Sequence, residues 1–168
     1  MTRSTQIDWR MKQTTRSFPI LLLLVAPLLL LPLGHATAIV PSSGDFTTTV
    51  TSETISQVAS IVTIDEHFSL AITGTLSGIT AGTATVIVNL KTGTGVFFGM
   101  QTFTGTVLTA SGTVQLSFSA TFVGSNFQGQ FALFGGTGGL TNLHGQGSIQ
   151  GIVNVSGSYS GFVIFAPS

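Results

Sequence analysis

From Val114 to Phe122 every even-numbered residue is apolar and every odd-numbered residue is polar. Successive side chains of a strand point to opposite faces, so this stretch presents one dry face and one wet face. Phe68, Leu70, Ile72 and Leu76 alternate in the same way with Ser69, Thr73 and Thr75. Beyond residue 38 no segment carries apolar residues at helical spacing for three turns, and the domain therefore reads as all-β. Strands are predicted over 46–52, 55–63, 67–76, 84–90, 96–108, 113–123, 127–134, 147–155 and 158–165, with one of these merging or staying irregular. Gly, Ser and Thr punctuate the chain at 78–82, 92–95, 110–112, 124–126, 135–139 and 156–157, short connections that suit hairpins. Gly74, Gly99, Gly105, Gly129, Gly151 and Gly161 fall inside the strand patterns, where glycine weakens a ladder unless a bulge or a bend requires it. Bent strands let a sheet close on itself.

The beginning of the chain is of another kind. Arg3, Arg10, Lys12 and Arg16 precede an apolar run from Phe18 to Leu33, and Ala36 and Ala38 supply the small residues that a signal peptidase reads. A cleavable signal peptide over 1–38 and one domain over 39–168 are expected, with the product secreted or otherwise extracytoplasmic. The apolar run falls short of the ~20 residues that span a bilayer, and Pro27 and Pro32 interrupt it, so no permanent membrane anchor is expected.

Four of the five basic residues leave with that segment. Lys91 then stands against Asp45, Glu53, Asp65 and Glu66, a formal charge of −3. No basic stripe exists to neutralise a nucleic-acid backbone, so a nucleic-acid partner is excluded. Without cysteine there is no disulfide, thiol chemistry or acylated lipoprotein anchor.

The most specific stretch is Phe134-Gly135-Gly136-Thr137-Gly138-Gly139-Leu140-Thr141-Asn142-Leu143-His144-Gly145-Gln146-Gly147. With Phe103–Val107, Gly112–Val114 and Gly157–Phe162 it resembles the pattern of a bacterial family of uncharacterised small proteins, a domain of unknown function whose fold is similar to the allene oxide cyclase barrel. The resemblance covers about residues 44–165. It implies an eight-stranded antiparallel closed barrel, calycin-like, with an apolar interior. Asn142, His144 and Gln146 stand where the family pattern carries a glycine, a basic and an acidic residue. The family carries no established reaction over to this chain.

Asp65-Glu66-His67 is the one cluster of titratable side chains. On a strand Asp65 and His67 share a face and Glu66 takes the other. Asp65 and His67, with the lone tyrosine Tyr159 at a barrel mouth, are the candidate acid–base groups. A zinc site needs three or four ligands, and the cluster does not supply them, so no metal or other cofactor is expected. The signature loop, with Gly136, Gly138, Gly139 and His144, lacks the Lys-Ser/Thr and the following helix of a phosphate cradle. Phe97, Phe98, Phe103, Phe118, Phe122, Phe127, Phe131 and Phe134 either fill a small barrel or line a cavity in it. Phe118, Phe127 and Phe131 are the candidate ligand-binding residues. The expected function is a non-catalytic exported barrel holding a small apolar ligand, with no oligomeric state assigned. The alternatives are an isomerase or cyclase using the apolar interior, and a surface-interaction or membrane-spanning barrel.

Overall fold

The computed structural model describes residues 38–167; the expected signal peptide lies outside them apart from Ala38. Eight antiparallel strands follow one another: β1 (Ile39–Val58), β2 (Ile61–Gly74), β3 (Leu76–Asn89), β4 (Thr94–Val107), β5 (Ala110–Val123), β6 (Asn126–Gly138), β7 (Leu143–Ile152) and β8 (Ser156–Phe165). Each pairs with the next. β8 returns to β1, with Ile39–Thr47 set against Ser156–Ile164, and the sheet closes into a ring. Closure leaves no free sheet edge, which a small domain of Thr-rich strands would otherwise have to protect from other chains.

The expected strands merge and shift in particular places. Residues 55–63 hold the β1–β2 hairpin, where Ala59 takes a left-handed conformation at φ 54°, a turn without glycine and so without its usual signal. Residues 147–155 run into a second such turn, with Asn154 at φ 56°. Gly78 and Gly82, expected in a connection, lie within β3, as Ala110–Gly112 lie within β5 and Ser156-Gly157 within β8. Gly82 stays in the ladder because it faces Gln101 directly across the strands, and a Cβ there would collide with the Gln101 side chain.

Inward positions are even on β2, β3 and β5 and odd on β4, β7 and β8, and they carry Phe68, Leu70, Ile72, Leu76, Phe103, Val114, Leu116 and Val163 in one buried cluster. Large rings pack over inward glycines of a neighbouring strand. A Cβ on Gly147 would lie 2.7 Å from the Phe131 ring, and one on Gly157 2.6 Å from that of Phe46. Outward positions such as Thr47, Thr83, Ser119, Gln130, Ser148 and Ser160 are polar and exposed. The outside is rich in hydroxyls but also exposes Ile79 on β3 and Val96, Phe98 and Met100 on β4.

Candidate functional site

The two ends of the ring differ. At one end the chain passes from β6 to β7 through Gly139–Asn142 and folds across the opening. Gly135, at φ 61°, sits at a register shift between β5 and β6, and Gly138, at φ 62°, turns the strand end; both conformations suit glycine. The amide of Gly139 donates to the Ser111 carbonyl at 2.8 Å, and the Thr141 hydroxyl donates to the Gly138 carbonyl at 2.7 Å. This geometry drives Leu140 and Leu143 into the interior, both fully buried, as are Val107 and Val163. That end is closed.

The opposite end is formed by the β1–β2, β3–β4, β5–β6 and β7–β8 hairpins. A cavity of about 60 Å³ lies just inside it, walled by Phe46, Phe68, Phe97, Phe118 and Phe127, and reaches the surface at the exposed Asn154. A second cavity of about 50 Å³ lies deeper, between Ile72, Leu116, Phe131 and Tyr159. Phe46, Leu70, Gln101, Phe118 and Ile149 line both, so the two adjoin. The Phe68 and Phe118 rings meet edge-on at 5.7 Å, and Phe97 meets Phe127 edge-on at 5.2 Å. The interior is therefore largely filled by aromatic side chains, with a modest space left toward the open end.

One carboxyl faces this space. Glu66 is 6% exposed, and its Oε2 accepts a hydrogen bond from Asn154 Nδ2 at 3.2 Å. Burial pushes its pKa above the ordinary 4.5; the Asn154 hydrogen bond opposes the rise and Glu53, directly opposite on β1, adds to it. The β7–β8 turn that brings Asn154 there is tied down by Val153 N to Ser125 O and by Thr48 N to Val155 O, both 2.9 Å.

Residues 42–160 match a family model described as a protein of unknown function, DUF3224. The chain belongs to the DUF3224 family. A solved structure of a DUF3224 protein of unknown function from Shewanella oneidensis MR-1 superposes with a TM-score of 0.66 at 17% identity, covering 78% of this chain and all of that one. At that identity the likeness concerns the fold. No curated protein matches the chain.

In this DUF3224 domain the sequence candidates are scattered rather than gathered in one place. Asp65 and His67 point outward from β2 and are exposed; Asp65 Oδ1 accepts from the Thr85 hydroxyl at 2.7 Å. Tyr159 is buried rather than at a mouth. Its hydroxyl accepts from the Leu76 amide at 2.9 Å and donates to the Thr73 carbonyl at 3.3 Å, so it fastens β8 to the β2–β3 corner. The wall of the ring thus separates Tyr159 from the Asp65/His67 pair. His144 is exposed on the outside of β7, and Gly136, Gly138 and Gly139 shape the closed end. Among the described residues no three His, Asp or Glu side chains converge.

Phe118, Phe127 and Phe131 all face the interior, Phe118 lining both cavities. Of the other phenylalanines, Phe98 and Phe134 face outward, while Phe46 and Phe68 join the lining. The residues not singled out from the sequence are Glu66, Gln101 and Asn154. Glu66 shares the parity of Phe68, Leu70 and Ile72, a signal that puts it on their face of β2; the reach of Asn154 across from the β7–β8 turn has no such signal.

Proposed function

We propose that this domain is an exported, non-catalytic binding protein for a small apolar molecule held at the open end of the ring. The carrying observation is the pair of adjoining cavities, walled by aromatic rings and met by one buried carboxyl beside Asn154. Apolar walls with a few fixed polar groups are the usual make-up of a small-molecule site. The space is smaller than the ~150 Å³ that takes up benzene, so it suits a short chain, or a single ring with small side-chain movements, rather than an extended acyl chain, and among the described residues no cationic side chain lines it. Export rests on the basic and apolar segments before Ala38. N-terminal sequencing of the secreted product should read from Ile39.

Thermal melts of residues 39–168 with single-ring compounds test the binding reading. A ligand at a hundred times its dissociation constant adds ~2.7 kcal/mol of stability. Absence of a shift with every compound refutes it. The isomerase or cyclase reading has one specific observation in its favour, that Glu66 is a carboxyl of raised pKa within the cavity wall. Turnover of a bound compound that Glu66→Gln abolishes would support it.

A further inference from the structure

Among the described residues two buried side-chain oxygens, Ser42 Oγ and Gln101 Oε1, have no hydrogen-bond partner. Ser42 lines neither cavity, whereas Gln101, 5% exposed, lines both and stands where they adjoin. Its surroundings keep it there. Across the ladder it faces Gly82 on β3 and Leu116 on β5, and its inward neighbours on its own strand are Gly99 and Phe103. Any side chain at Gly82 would displace it, and a Cβ at Gly99 would lie 2.9 Å from the Phe118 ring that walls the same space. A carboxamide buried in an apolar interior with an oxygen unsatisfied costs stability that an aliphatic residue of similar length would not. Gln101 adjoins an unfilled space, and a ligand held there can supply the missing hydrogen.

We infer that Gln101 selects the ligand, and that the ligand class is a neutral, single-ring or short-chain alcohol or phenol whose hydroxyl meets the carboxamide where the two cavities join. This rests on the binding reading above. A hydroxyl both donates and accepts, so it satisfies the carboxamide whichever of its ends is turned to the cavity. An anion finds no cation among the described lining residues, and the one carboxyl that could meet a cation, Glu66, is engaged by Asn154 and lines the outer cavity only, so the ligand at Gln101 is neutral. The Tyr159 hydroxyl does not compete, because Thr73 and Leu76 already engage it.

Phenol and toluene are nearly isosteric and differ in the hydroxyl alone, so their affinities for the domain separate the two claims. Affinities are measured by titration calorimetry or by amide chemical-shift changes, on the domain and on Gln101→Met. The expected result is a preference for phenol of about tenfold, the equivalent of one net buried hydrogen bond. In Gln101→Met toluene binding persists and the preference disappears. Equal affinities for phenol and toluene in the unaltered domain overturn the role of Gln101 and leave the binding reading standing. A preference retained in Gln101→Met overturns it as well. Binding of neither compound removes both claims. If Gln101→Met does not fold, the side-chain amide resonances of Gln101 in the unaltered domain decide instead: a shift with phenol but not with toluene is expected, and no shift with phenol overturns the role of Gln101.

Discussion

Phe118→Ala tests the fold and the cavity together. The Phe118 ring packs edge-on against Phe68 at 5.7 Å and tilted against Phe97 at 6.1 Å, and it walls both cavities. Truncating a fully buried phenylalanine costs ~3–5 kcal/mol, and a ring that already borders empty space has fewer contacts to lose, which sets the expectation at about 3 kcal/mol. With a urea dependence of ~1.5–2 kcal/mol per molar for a domain of this size, the unfolding midpoint falls by about 1.5–2 M. Ser117→Ala, one residue earlier and on the outer face, changes stability by no more than ~0.5 kcal/mol. The truncation also merges the two cavities through the space the ring leaves, and an apolar cavity on the order of 150 Å³ takes up benzene. Saturating benzene should therefore stabilise Phe118→Ala, by up to ~2.7 kcal/mol, and by more than it stabilises Ser117→Ala, whose cavities are those of the unaltered domain. Equal urea midpoints for the two variants would refute the inward assignment of even positions on β5, and a Phe118→Ala protein indifferent to benzene would refute the placement of the cavities against this ring.

Glu66→Gln should remove a pH dependence. Because the folded pKa lies above the unfolded value near 4.5, the unaltered protein loses stability as pH rises from 4.5 through the folded pKa and is level beyond it. Gln still accepts from Asn154, so the variant should match the parent at pH 4 and melt higher at pH 8; a constant difference across pH counts against a buried, proton-holding Glu66. Tyr159→Phe leaves the Leu76 amide without its partner and should cost ~1–3 kcal/mol in urea unfolding, and an unchanged midpoint would mean that the hydroxyl is fastened to nothing. Leu140→Ala at the closed end should cost ~2–5 kcal/mol, since the side chain is fully buried; a neutral result would show that the signature loop does not seal the ring.

The strand pattern is legible in the amino-acid sequence alone, because two-residue periodicity is a local property of the backbone and any buried face enforces it. Val114 to Phe122 reads the same in the sequence and in β5. The same parity rule puts Asp65 and His67 on one face and Glu66 on the other. Which of those faces turns inward depends on pairing. β2 lies between β1 and β3 with Phe68, Leu70 and Ile72 directed at the core, so Glu66 is the carboxyl that is buried and the Asp65/His67 pair is left in solvent. Turn positions are less legible where glycine does not mark them, as at Ala59 and Asn154, and misleading where inward glycines serve packing, as at Gly82. The match of an orphaned Gln101 to the space between two cavities, and of Asn154 to Glu66 across 88 residues of sequence, comes only with closure of the ring. Local periodicity is written in adjacent residues; the meeting of side chains from β2, β4 and the β7–β8 turn is set by the register of every strand between them.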